Sequence, residues 1–457
     1  MATRQPAVDK YIRDATPAPG KATPGTGKAT GAAAGQAEDT WSPDDVSRLI
    51  VDAWRDGCSD IHIEARPRLG LTRVRVRKDG ALRLYREVPI EHHPRLVNQI
   101  KHLCQMKADE RRMPQDGKFA FPAPSGRAIE LRVATIPTTG GHEDVVMRIL
   151  PRDEPQRLEM LGFSENNLAA LRTAIAKPRG LFLVCGPTGS GKTTTLHSLL
   201  HHLDTPGAKI WTAEDPVEIT QDALSQVSIN TAQDLTFAVA LRAFLRADPD
   251  VVMIGEMRDY ETARIAIEAS LTGPLVLSTL HTHSAAESVT RMLDMGLDPF
   301  TLGDALLAIL AQRLARKLCE QCKTSRPATD EEIRALMRHY GGPLENTSAW
   351  KRDKNAAYVA LADDWKRRFG GPKGVLVLHE KRGCRHCDDT GHAGRVALHE
   401  LLVINDEIRS AIQRKARAAE ILALGLAAGM RTLMQDAIEK ALSGITDMSQ
   451  VRVVGGR

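Results

Sequence analysis

Gly186-Pro187-Thr188-Gly189-Ser190-Gly191-Lys192-Thr193 is the stretch on which the fold turns. It matches the whole pattern of a phosphate-binding loop. Glycines let the backbone fold back tightly, so that successive N–H groups converge on phosphate oxygens. Lys192 brings positive charge to the β and γ phosphates, and Thr193, followed by Thr194, offers a hydroxyl to Mg²⁺. The flanks agree with this reading. Leu181–Cys185 is an apolar strand, and Leu196, Leu199, Leu200 and Leu203 share one face of the helix that follows. The N-terminus of that helix adds partial positive charge beneath the phosphates. A chance glycine-rich turn would lack this context. The stretch therefore predicts a P-loop that binds ATP with Mg²⁺, while hydrolysis and the use of the energy need other residues.

Outward from the loop, short apolar strands are expected at Lys209–Ala213, Asp250–Ile254 and Leu275–Leu280, separated by helices. That order predicts an α/β fold with a parallel sheet, in which ligands bind beyond the carboxyl ends of the strands. Polar clusters stand at those ends. Met253-Ile254-Gly255-Glu256 ends one strand with a carboxylate, and Glu256 is the first choice for the general base. Glu214-Asp215-Pro216-Val217-Glu218 ends another. Glu214 and Glu218 would hold Mg²⁺ through water, or Glu214 would share the role of base. A solvated, charged loop is the alternative for either cluster. Ser278-Thr279-Leu280-His281-Thr282-His283 closes the last strand. His281 is placed to sense the γ phosphate by hydrogen bonding, although a lone histidine there reads as readily as a surface or structural group.

The chain has 457 residues, room for about two to four domains. Aromatics are only 4% of it, so the core must be largely aliphatic. A net charge of +5 is too small for this length to argue for nucleic acid, and no basic stripe carries interleaved aromatics. No apolar run approaches the roughly 18 residues of a spanning helix, and the N-terminus has no apolar signal core, so a cytoplasmic protein is expected. Residues 1–40 read as a disordered, low-complexity tail. A small α+β domain is expected over 41–152. It opens on a helix from Ser42-Pro43-Asp44-Asp45, with Val46, Leu49, Ile50 and Ala53 at helical spacing, and contains a hairpin turning at Asp79-Gly80. The P-loop core follows over 156–318, then an irregular insertion over 319–395, then a mostly helical part over 396–457.

Four of the seven cysteines form two Cys-x-x-Cys pairs, Cys319/Cys322 and Cys384/Cys387. Each pair can chelate one edge of a tetrahedron, so together they predict a structural zinc site that closes the insertion. Redox-active Cys-x-x-Cys or unrelated surface thiols are the alternatives. Four thiolates leave no open position for catalysis.

Taken in order, these motifs resemble the secretion ATPase superfamily that powers type II secretion and type IV pilus assembly. The resemblance extends over most of 41–457. It is carried also by Ser59-Asp60-Ile61-His62-Ile63-Glu64, Glu110-Arg111-Arg112-Met113-Pro114-Gln115-Asp116-Gly117, Leu241-Arg242 with Leu245-Arg246, Asp248-Pro249-Asp250 and Gln312-Arg313-Leu314. It implies a small PAS-like N-terminal domain and a RecA-like motor domain, assembled as a homo-hexamer with ATP between the domains. Glu214 and Glu218 then fall in an aspartate box, Glu256 in a Walker B motif and His281 in a histidine box. Arg132 and Arg148 become the small domain's candidates for reaching the phosphates. The resemblance also supports the zinc, because assembly-type members carry a four-cysteine element. It implies peripheral association with the inner membrane, where domain rotation would drive a platform protein to push pilin-like subunits. Three departures stand out. Pro274 fills a slot often held by His, His283 one often held by Asn, and only the tail precedes residue 41 where type II secretion members carry a further domain. Two rival functions are a DNA-processing, DNA-uptake or conjugation-associated ATPase, and a nucleotide-gated scaffold that does not hydrolyse. Intact Glu256 and Lys192 argue against the scaffold.

Overall fold

The computed structural model describes residues 43–122, 128–150, 155–371 and 374–455. The expected tail over 1–40 lies outside them. The chain divides after Arg152 into two compact units. Among the described residues no helix is long and apolar enough to cross a membrane.

The first unit is a six-stranded antiparallel sheet, ordered β3-β2-β1-β6-β5-β4. Its strands are β1 (Asp60–Arg66), β2 (Leu71–Lys78), β3 (Ala81–Pro89), β4 (Gln115–Pro122), β5 (Ala128–Thr138) and β6 (His142–Ile149). Alternation puts Ile61, Ile63, Val74, Leu131, Val133, Val145 and Met147 into one core. Helices Pro43–Arg55 and His93–Leu103 add Val46, Leu49, Ile50, Leu96, Val97 and Ile100 to it. Asp79 and Gly80 both have positive φ between paired Lys78 and Ala81, the geometry of a two-residue type I′ hairpin. The polar positions of the Ser59–Glu64 motif hold arginines of neighbouring strands. Asp60 pairs with Arg148 at 3.0 Å, and Glu64 with Arg75 at 2.5 Å. In the other motif, Gln115 ties down its own loop, accepting from Lys107 N and donating to Glu110 O, both at 2.9 Å.

The second unit holds a seven-stranded sheet. Its strands are β7 (Gly180–Cys185), β8 (Ile210–Glu214), β9 (Ser225–Ser228), β10 (Val251–Ile254), β11 (Leu275–Leu280), β12 (Leu306–Leu318) and β15 (His392–Val403), in the order β15-β12-β7-β11-β10-β8-β9. Every neighbouring pair is parallel except β12 with β15. Both faces are covered: Leu181 and Leu183 join one apolar cluster, Phe182 and Val184 the other. That is why these strands read as continuous apolar runs and not as alternation.

One expectation needs correcting here. Residues 319–395 are not irregular. Between the cysteine pairs run helices Asp330–Gly341, Ser348–Arg352 and Lys354–Phe369, and the short antiparallel strands β13 (Thr324–Pro327) and β14 (Val377–Glu380). Trp365, fully buried, meets Tyr340 edge-on, and both belong to the same apolar cluster as Leu181 and Leu183 of the main sheet. The part after 396 is mostly helical as expected, over Asp406–Gln413, Ala418–Ala427, Leu433–Leu442 and Met448–Val454, and it opens on the end of β15, which belongs to the main sheet.

Candidate active site

β7 delivers the chain to the glycine loop, and packing shows why glycine stands there. A Cβ at Gly186 would lie 2.4 Å from the carbonyl oxygen of Gln312, and one at Gly191 only 2.8 Å from Gln312 Nε2. Pro187, Thr188 and Gly189 form the outer turn of the loop. Helix Lys192–Leu203 begins behind Gly191 with no side-chain cap, which leaves its first N–H groups facing the loop. Ser190 is 3% exposed, and its Oγ has no hydrogen-bond partner among the described residues. A buried hydroxyl without a partner is costly, and a phosphate oxygen in the cradle would supply one. Lys192 Nζ donates to the loop's own carbonyls, Gly186 O at 2.8 Å and Pro187 O at 3.2 Å. Burial lowers its pKa, against the pull of Cys185 and the Glu256 carboxylate.

The ends of β7, β11 and β10 meet at this loop. Gly186 N donates to Leu280 O at 3.2 Å, which ties the loop to the end of β11. Thr279 Oγ1 donates to Gly255 O at 2.7 Å and so fixes the turn that carries Glu256. Glu256, mostly buried, contacts His281 Nε2 at 3.3 Å and Arg258 at 2.7 Å. The structure thus brings Glu256 and His281 together.

Glu214 is employed differently. Its Oε1 accepts from Thr212 at 2.7 Å and from Gln226 at 3.0 Å, and its Oε2 contacts His197 Nε2 at 3.1 Å. Gln221 donates to His197 Nδ1 at 2.7 Å, so the Nε2–H tautomer faces Glu214. Burial pushes the Glu214 pKa up, but the bonds from His197, Thr212 and Gln226 outweigh it and leave the pKa lowered. Glu214 is a charged brace between β8 and the P-loop helix. Glu218 is half-buried, without an ion pair among the described residues. Pro274 precedes β11 at the end of the strand away from the loop, so an ionisable group in that slot would stand far from the phosphates. His283 N donates to Glu287 at 3.3 Å.

Sequence reasoning missed the role of Gln312. Its Oε1 accepts from Thr195 Oγ1 at 2.7 Å and its Nε2 donates to Ser190 O at 2.8 Å. It was legible only as one letter of Gln312-Arg313-Leu314. Nothing beside His197 in the chain reveals its carboxylate partner, Glu214, 17 positions on, whereas Arg258 stands only two residues beyond its partner Glu256. In the first unit, Arg148 is held by Asp60, whereas Arg132 has no ion-pair partner among the described residues.

The four cysteines converge. Their sulfurs all lie within 4.8 Å of one another, with Cys319–Cys384 at 3.9 Å, Cys322–Cys387 at 3.8 Å and Cys384–Cys387 at 3.7 Å. Four sulfurs at about 2.3 Å from a tetrahedral zinc stand about 3.8 Å apart, so the donor set fits that ion. N–H groups of Cys384 and Gly391 point at Cys387 Sγ at 3.3 and 3.2 Å, as expected around a thiolate.

Comparison with known proteins identifies the family. The family model described as "Type II/IV secretion system protein" matches residues 36–453. The type II secretion system protein HxcR of Pseudomonas aeruginosa is 41% identical over 407 residues, covering 89% of this chain and 76% of that protein. The type IV pilus assembly ATPase PilB of Thermus thermophilus is 41% identical over 408 residues, covering 89% of this chain but only 42% of its own length. Among solved structures, the ATPase DotB of Legionella pneumophila superposes with a TM-score of 0.64 at 21% identity, over 92% of this chain and 98% of that one.

Proposed function

This chain belongs to the type II/IV secretion system protein family, and we propose that it is an ATP-hydrolysing motor for type II secretion or type IV pilus assembly. The observation that carries the reading is the Ser190 hydroxyl inside the glycine cradle, buried and unpartnered among the described residues, with Lys192 in the same loop. In this reading the loop's N–H groups, Ser190 and Lys192 grip the phosphates. Thr193, exposed and with no hydroxyl partner among the described residues, would hold Mg²⁺ together with the phosphates and with waters tied to Glu218. Bound there, Mg²⁺ would neutralise charge that develops on the phosphoryl oxygens. Glu256 orients the attacking water and takes its proton, and His281, in contact with Glu256, reports the γ phosphate. Glu214 fixes the P-loop helix from behind. Of the two arginines, Arg132 is the better phosphate partner, because Arg148 is already paired. The cysteines hold one zinc ion, which closes the helical insertion.

Hydrolysis removes the γ-phosphate contacts, and loss of such contacts commonly releases a two-state rearrangement. We assign that rearrangement to a homo-hexamer working at the cytoplasmic face of the inner membrane against a platform protein. Purified chain should bind Mg·ATP, and Lys192→Ala should abolish the binding heat. Glu256→Gln should keep binding while turnover falls about 10²–10⁴-fold. Parent-level turnover in Glu256→Gln would remove the base assignment, and failure of the parent to bind Mg·ATP would remove the whole reading.

A further inference from the structure

Glu400 lies on β15, 3% exposed within the core of the second unit. Its Oε1 accepts from the backbone N–H of Ala285 at 2.8 Å, and its Oε2 from that of Leu433 at 3.4 Å. Each donor is the first residue of a helix, Ala285–Asp294 and Leu433–Leu442. One buried carboxylate therefore serves two helix N-termini that are distant in sequence. Neither helix depends on it for an ordinary cap. Ser284 already accepts from Glu287 N, and Thr432 already forms a capping box with Gln435.

The placement of a charge so far from water is informative. Burial raises the Glu400 pKa, against the two N–H donors. A neutral, well-packed side chain would suit the core better unless the carboxylate holds something in place. What it holds is the loop His281–Ser284, since Ala285 follows directly. That loop is pinned elsewhere by a 2.5 Å contact between Thr282 and Ser288 and by Cys185 Sγ at 3.6 Å from Ser284 O. The other helix is fastened to β15 as well: Asp436 accepts from His399 N at 2.8 Å, and Lys440 Nζ donates to Ala397 O at 2.7 Å. Just past its end, Gly444 O accepts from Lys323, next to Cys322.

We propose that Glu400 is a positioning residue, which sets His281 against Glu256 through the Ala285 N–H and couples that loop to helix Leu433–Leu442. The proposal rests on the reading of Glu256 and His281 as the hydrolytic site. A purely structural Glu400 would affect stability alone. A positioning Glu400 governs turnover, because small misplacement of a catalytic contact costs about a hundredfold.

The test is a double-mutant cycle. Glu400→Gln keeps the shape but turns one acceptor into a donor. It should lower kcat between about tenfold and a hundredfold with KM for ATP nearly unchanged, and the effect should largely vanish in a His281→Ala background. Parent kcat in a Glu400→Gln protein that melts at lower temperature, or losses that simply multiply, would overturn the proposal. A second measurement needs no variant. On adding Mg·ATPγS to the parent, hydrogen exchange should slow together in peptides covering 281–288 and 431–436. Slowing confined to the first peptide would also overturn it. Failure of the hydrolytic reading itself appears separately, as undiminished turnover in Glu256→Gln.

Discussion

The side-chain amide of Gln312 holds the phosphate loop at two points, donating to the Ser190 carbonyl at 2.8 Å and accepting from Thr195 Oγ1 at 2.7 Å. Gln312 is 2% exposed, so water cannot replace either bond. The loop's conformation thus depends on β12, a strand more than a hundred residues further along the chain.

Gln312→Glu keeps the shape but loses the N–H and sets a carboxylate against the Ser190 carbonyl. An unsatisfied buried polar group costs about 1–3 kcal/mol. We expect Mg·ATP affinity, measured calorimetrically, to fall about 5- to 100-fold, with a smaller change in kcat at saturation.

Glu214 makes stability depend on acid. Its folded pKa is lowered, so the stabilisation it supplies is complete above the ordinary glutamate value and is lost as pH falls through the lowered one. Thr212→Val removes one of the bonds that lower it. The acid limb of a plot of Tm against pH should then shift to higher pH, while a variant far from the site, such as Leu69→Ala, leaves it in place.

Cys384→Ser should reduce zinc, measured by atomic absorption, from about one ion per chain to almost none. The second unit should lose at least about 2 kcal/mol, a fall in Tm of about 4 °C or more. A chelator should reproduce the loss in the parent and add nothing in the variant.

In the small unit, Lys101 and Glu143 form a fully buried pair at 2.7 Å, and Lys101 also donates to Glu110 O at 2.6 Å. Lys101→Met strands the carboxylate and should destabilise by about 3–5 kcal/mol in denaturant titration. Adding Glu143→Leu should recover most of it.

Much of the motor was legible without coordinates. The phosphate loop depends on neighbours along the chain, since a tight turn needs glycine and the strand and helix beside it are local patterns. Apolar runs announced β7, β10 and β11, and their polar ends announced Glu256 and His281. The helix at Asp330–Gly341 was also within reach. Thr329 and Glu332 form a capping box at the prescribed spacing, a helix start written in neighbouring residues.

Other features belong to tertiary structure. Leu306–Leu318 places leucines and isoleucine at helical spacing, yet it is a strand because β7 and β15 pair with it on either side. Glu214 reads as a carboxylate for water-mediated Mg²⁺ binding or for base work, and only packing of His197, Thr212 and Gln226 around it makes it a brace. The physical reason is common to both. A turn, a cap or an apolar period is decided by torsions and neighbours within a few residues, which composition and order record directly. A hydrogen bond between Thr195 and Gln312, 117 positions apart, or one from Ala285 to Glu400, 115 apart, exists only once the sheet has closed and excluded water.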